Sequence, residues 1–176
     1  MRFHPLSIPG AWLIEPEPAA DERGFFARTF CARQFADRGL EIAIVQCGVS
    51  FNLRRGTLRG MHYQAAPHEE AKLVRCTRGA VYDVIADLRP GSPSFKQWVS
   101  TELSADNRRV LYIPEGCAHG FQTLIDDAEV SYEISAFYYP ESARGVRWDD
   151  PAFRFHWPLP VEAMSERDRL FPDFTS

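Results

Sequence analysis

An all-β barrel or sandwich is the fold class this sequence predicts, on three observations. Short runs rich in β-branched and aromatic residues recur, separated by turn signals at roughly 8–12-residue spacing. Apolar and polar residues alternate inside several of these runs, as in Ala71 to Cys76 and Val130 to Ile134, which is the period of a strand with one buried face. Only one stretch, beginning near Thr29, follows the spacing of a helix, and it is short.

The chain of 176 residues is long enough for a real core and suits one domain over 1–176, with an N-terminal arm and a C-terminal tail packed on the barrel. Hydrophobic residues make up 45% and charged residues 25%, an ordinary balance for a globular enzyme or binding protein. A net charge of −4 gives no basis for nonspecific nucleic-acid binding, although a local arginine cluster could still hold phosphate. The start, Met1 to Leu6, lacks the apolar run of a signal peptide, and no stretch approaches a membrane span. Cys31, Cys47, Cys76 and Cys117 lie far apart without a CxxC spacing, which reads as reduced thiols in the cytoplasm.

Taken in order, residues 1 to about 20 are extended and punctuated by prolines, with a short strand at Trp12-Leu13-Ile14. Asp21-Glu22-Arg23-Gly24 is a turn. From Thr29 the pattern becomes helical, with Thr29 able to cap and Gly39 after the last turn. A series of strands follows: Ile42 to Val45 with Val49 to Asn52 after it, Leu58 to Gln64, Ala71 to Cys76, and Ala80 to Leu88. The strong turn Arg89-Pro90-Gly91-Ser92-Pro93 precedes strands at Lys96–Leu103, Arg109–Ile113, Ala118–Leu124 and Glu129–Phe137. The tail from Tyr138 has turns, an aromatic half-alternating segment at Phe153–Trp157, and one possible helical turn at Ser165-Glu166-Arg167-Asp168.

Alternation places candidate chemistry on apolar faces. Lys72 shares a face with Val74 and Cys76, and Tyr132 with Val130 and Ile134. Taken alone, a snorkelling lysine and a core tyrosine explain these positions as well as a ligand-facing pair does. Arg59 and His62 fall on opposite faces by strict alternation; a bulge at Gly60 brings them to the same side. His119 enters a second strand after the turn Pro114-Glu115-Gly116. With His68, Glu69 and Glu70 near His62, a metal site is one alternative. Against it, position 64 is Gln, so no His-x-His pair exists.

Together these segments resemble the dTDP-4-dehydrorhamnose 3,5-epimerase family of cupin-type jelly-roll barrels. The resemblance runs from about Asp21 to Phe174. It rests on Asp21 to Phe26, Leu58 to Gln64, Lys72 to Arg75, Pro114 to Phe121, Gly145 to Pro151 and Ser165 to Asp168. It implies a jelly-roll with a short N-terminal helix and short C-terminal helical turns. It further implies cofactor-independent epimerisation of a nucleotide-linked 4-keto-6-deoxy sugar at C3 and/or C5, with no metal. In that reading His62 is the general base, Asp168 its carboxylate partner, Tyr132 the acid on the opposite ring face, and Lys72 the enolate stabiliser. Arg23 and Arg59 hold the diphosphate, Phe26 and Tyr138 lie against the base, and Gln46 and His119 line the site. The resemblance also implies a homodimer with exchanged N-terminal strands, in which Arg23 serves the partner's site.

The chemistry suits these residue types independently. A C–H beside a ketone loses its proton as an enolate forms, so a cation near the oxygen acts where charge develops. Inversion needs a base and an acid on opposite faces, and an imidazole oriented by a carboxylate is a suitable base near neutral pH. Three positions depart from the family pattern: Arg28 where an acidic residue is common, Gly48 where asparagine is usual, and Asn52 near a common serine. Competing readings are a 3-epimerase or ketoisomerase of a related nucleotide sugar, a metal-dependent cupin enzyme, and a noncatalytic sugar-nucleotide-binding module.

Overall fold

The computed structural model describes residues 1–40 and 43–175. Its strands are β1 (Arg2–Pro5), β2 (Trp12–Glu15), β3 (Ala19–Asp21), β4 (Gly24–Phe26), β5 (Gln46–Asn52), β6 (Leu58–Gln64) and β7 (Lys72–Arg78). These are followed by β8 (Ala80–Asp87), β9 (Trp98–Ser104), β10 (Val110–Ile113), β11 (Cys117–Thr123), β12 (Ala128–Ile134) and β13 (Ala143–Gly145). Two short helices, α1 (Ala32–Ala36) and α2 (Glu166–Arg169), complete the described elements.

A six-stranded sheet of order β1-β2-β10-β7-β12-β5 faces a five-stranded sheet of order β13-β6-β11-β8-β9. All pairings within the two sheets are antiparallel. Consecutive strands such as β6 and β7, or β11 and β12, lie in opposite sheets, so the chain repeatedly crosses between layers, as a jelly-roll requires. Alternation divides the apolar residues into three clusters. Val74, Ile85, Leu111, Phe121 and Val130 fill the space between the sheets. Leu73, Val110 and Tyr112, on the outer face of the six-stranded sheet, are covered by Phe35 of α1. Val84, Ala86 and Ala118, on the outer face of the five-stranded sheet, are covered by Phe153 and the partly buried Phe155, Trp157 and Phe174 of the tail. Each fully buried large side chain contributes about 1.5–3 kcal/mol relative to exposure, so the tail and α1 are held by ordinary hydrophobic packing.

Several boundaries differ from the sequence reading. Ile42 lies outside the described residues, Ala43 to Val45 are not in a strand, and β5 starts at Gln46. Thr29 does not cap α1; Cys31 occupies the N-cap without a side-chain bond. The helix starts later because its anchor is Phe35, packed at 4.9 Å between ring centroids on Phe30. The half-alternating aromatic segment Phe153–Trp157 forms an aromatic layer, with Trp98 Nε1 donating to Phe153 O and Trp157 Nε1 to Trp148 O. Near the N-terminus, β1 and β2 complete this chain's own sheet, whereas β3 and β4 pair only with each other.

The bulge at Gly60 is present. On β11, His119 pairs with His62 and Phe121 with Arg59, so two steps on one strand oppose three on the other. One extra residue therefore sits in β6, and Arg59 and His62 emerge on the same side. Gly60 has φ +123°, and a Cβ there would lie 2.5 Å from Gly120 Cα and 2.8 Å from His119 O. A Cβ on Gly120 would meet Arg59 O at 2.8 Å. The two strands approach this closely only because both residues lack side chains. Gly60→Ala should lower unfolding free energy by ~3 kcal/mol, read as a lower urea midpoint at unchanged slope. Gly48→Ala, at an exposed position with open space for a Cβ, should stay within about 0.5 kcal/mol of the parent.

Candidate active site

The extra residue in β6 aims His62 into the barrel, and the tail supplies its partner. Ser165 caps α2 by accepting a hydrogen bond from Asp168 N at 3.1 Å. This turn presents the Asp168 carboxylate to the bulge: Oδ1 lies 2.7 Å from His62 Nε2, and Oδ2 accepts from Gly60 N at 3.2 Å. Burial pushes the Asp168 carboxyl up, but the hydrogen bond and charge of His62, with the Gly60 and Ser165 bonds, bring it below its ordinary value. An ionised Asp168 accepts from Nε2–H, which leaves His62 Nδ1 as the basic nitrogen. The Phe171 ring meets the imidazole edge-on at 6.0 Å. It lies against Gly145 of β13, where a Cβ would come within 2.1 Å of it.

The opposite wall comes from the six-stranded sheet. Lys72 of β7 and Tyr132 of β12 are on its inner face, as alternation predicted, and Tyr132 packs against the interior cluster. Burial drives the Tyr132 phenol well above its ordinary range; the Asp83 charge adds to this and Arg59 opposes it. Lys72 Nζ lies 2.8 Å from Glu70 Oε1, and both side chains are about nine-tenths buried. A cavity of about 330 Å³ gathers His62, Lys72, His119 and Tyr132, with Gln46, Arg59 and Tyr138 also lining it. The cavity thus has an imidazole on one sheet and a phenol on the other.

His119 is further inside. Its Nε2 lies 2.9 Å from both oxygens of Asp83, and both residues are almost fully buried. Burial raises the Asp83 carboxyl, and His119 and then Lys72 partly offset this. Asp83 was not picked out from the sequence, although a signal existed: it alternates with Val81 and Ile85 on an inward face. Gln46 accepts from Tyr138 N at 2.6 Å, tying two lining residues together. Ser50 and Glu70 also line the cavity; Glu70 had been considered only as a metal ligand.

Two predicted residues stand apart from this cluster. Arg23 and Phe26 belong to the β3–β4 hairpin and do not line the cavity within this chain. Arg23 is 83% exposed and paired with Asp21, and Phe26 is 71% exposed. Arg28 is likewise exposed and outside the cavity lining. His68, one member of the alternative metal set, stacks on Tyr139 and bonds Ser142. His62 and His119 each engage a separate carboxylate, and among the described residues no group of three His, Cys, Asp or Glu is arranged to hold a metal.

Comparison with known proteins agrees with this geometry. A family model described as dTDP-4-dehydrorhamnose 3,5-epimerase matches residues 5–176. A dTDP-4-dehydrorhamnose 3,5-epimerase from Sinorhizobium fredii is 43% identical, covering 98% of this chain and 89% of the relative. A dTDP-4-dehydrorhamnose 3-epimerase from Streptomyces niveus is 40% identical, covering 96% and 82% respectively. The crystal structure of dTDP-4-dehydrorhamnose 3,5-epimerase from Bacillus anthracis, with TDP and PPi bound, superposes with a TM-score of 0.94. It is 38% identical, and the match covers 98% of this chain and 99% of that one.

Two titrations check the electrostatics. Because burial keeps the Tyr132 phenol protonated, the wild-type minus Tyr132→Phe difference spectrum should show no phenolate signal near pH 10. Asp168 has a depressed folded-state carboxyl, so its stabilisation is complete above about pH 4 and fades as pH falls through the folded value. The stability gap between wild type and Asp168→Asn should therefore narrow on acidification below about pH 4, measured by urea unfolding.

Proposed function

The chain belongs to the dTDP-4-dehydrorhamnose 3,5-epimerase family, and we propose how its own residues carry out the reaction. It is an isomerase of the nucleotide-sugar 3,5-epimerase type, acting on a dTDP-linked 4-keto-6-deoxy sugar at C3 and/or C5. In our reading His62 Nδ1 removes the proton from the carbon beside the ketone, with Asp168 orienting the ring and stabilising the imidazolium. Lys72 faces the ketone oxygen and favours the enolate as charge develops there. Tyr132, kept protonated by burial, returns a proton to the other face of the ring carbon. The observation carrying this assignment is that His62 and Tyr132 belong to opposite sheets and line one cavity. The proton transfers use side chains alone.

Arg59 is assigned to the diphosphate and Tyr138 to the base, with Gln46 and His119 completing the sugar pocket. We assign Arg23 and Phe26 to the site of a second copy, in a homodimer reached through the N-terminal hairpin. The exposed Phe25 and Phe26, and the exposed Val49 and Phe51 on edge strand β5, support such a partner. We place the protein in the cytoplasm, consistent with four free cysteines and with no described helix long and apolar enough to cross a membrane.

In deuterated water, the dTDP-linked 4-keto-6-deoxy glucose substrate should take up solvent deuterium at both C3 and C5. Uptake at C3 alone would identify a 3-epimerase, the activity named for the Streptomyces niveus relative. His62→Ala should slow exchange by at least about 10³-fold. Tyr132→Phe should retain proton removal but lose inversion, so exchange outlasts epimerised product. Absence of exchange in the wild type would count against the whole assignment.

A further inference from the structure

We propose that Asn52 is a positioning residue that holds the Arg59 guanidinium ready for the substrate's diphosphate. The proposal rests on the assignment of Arg59 to that group. Asn52 is the last residue of β5, in the six-stranded sheet, and only 2% of it is exposed. Arg59 stands on β6 of the opposite sheet, and its Nε donates to Asn52 Oδ1 at 2.7 Å. Asn52 Nδ2 donates to Ser50 O and Ala128 O, both at 3.1 Å. Two carbonyls around one end of the amide require its NH₂ there, so the oxygen has to face Arg59. The orientation is determined by the bonding itself.

This arrangement uses Nε of the guanidinium, and Nη2 makes only a long contact to Phe51 O at 3.4 Å. The remaining N–H groups stay available, and no carboxylate pairs with Arg59 among the described residues. A long side chain is thus restrained before the ligand arrives, so less freedom is lost on binding. A neutral amide suits the task better than a carboxylate. Aspartate would neutralise the arginine and would set a carboxylate oxygen, in place of Nδ2, against the Ser50 and Ala128 carbonyls. The anchor also joins edge strand β5 of one sheet to β6 of the other, beside the bulge that turns Arg59 inward.

A purely structural asparagine predicts lost stability without any coupling to Arg59. The test is a double-mutant cycle read by calorimetric dTDP binding and by turnover. Asn52→Ala should weaken dTDP binding and raise KM by about tenfold, more than it lowers kcat. Arg59→Lys keeps the charge but lacks the Nε donor and should behave similarly. The double variant should then be no weaker than Arg59→Lys alone. Asn52→Ser, which also removes the amide oxygen, carries the same expectation should the alanine variant not fold. Effects that multiply, or dTDP binding untouched by either Asn52 variant, would overturn the proposal while leaving the epimerase reading intact. A wild type that neither binds dTDP nor exchanges protons would instead overturn that reading, and this proposal with it.

Discussion

One carboxylate joins the parts of this molecule that have to act together. Asp168 accepts from His62 through one oxygen and from the Gly60 amide through the other, so the base and the bulge that aims it share a single anchor. The anchor comes from the opposite end of the chain and is held by the Ser165 cap. Without the tail, His62 would keep its place in β6 but lose the group that defines its tautomer. The aromatic packing of Phe153, Phe155 and Phe174 on the outer sheet face brings the tail to where Asp168 can reach His62.

The barrel interior shows how charge is accommodated in an apolar core. His62 pairs with Asp168, Lys72 with Glu70, and His119 with Asp83. Desolvation makes the two buried pairs, Lys72–Glu70 and His119–Asp83, weak contributors to stability, whereas removing one member leaves a costly unpaired charge. Their presence is better explained by the chemistry they allow than by folding. Tyr132 is also buried, and burial raises its phenol well above the ordinary range. On the outer face, the Arg75 and Glu133 side chains pair, yet Arg75 Nε and Glu133 Oε2 are buried without hydrogen-bond partners among the described residues.

The sheet edges divide the functional work. At the N-terminus β1 and β2 extend the six-stranded sheet, while the β3–β4 hairpin stays unpaired with either main sheet. At the other edge β5 carries exposed Val49 and Phe51 outward and the buried Asn52 inward. An exposed apolar edge is a natural surface for association. Its inward residue Asn52 meets Arg59 across the gap between the sheets.

Local pattern was enough to identify β2 and most of β5 to β12, the inward faces of Lys72 and Tyr132, and the bulge at Gly60, because alternation and glycine placement are properties of neighbouring residues. Motif order identified His62, Asp168 and the family resemblance. Pattern started the helix too early, at Thr29, where the packing of Phe35 on Phe30 rather than periodicity sets the conformation. The His119–Asp83 pair and the Asn52–Arg59 bond depended on pairing across strands or sheets, and alternation alone does not reveal it. Arg23 and Phe26 were recognisable as motif residues, but only the fold shows them on a hairpin remote from this chain's cavity. Sequence therefore determined which side chains face inward; the tertiary structure decided which of them meet, because contact depends on how distant strands are brought into register.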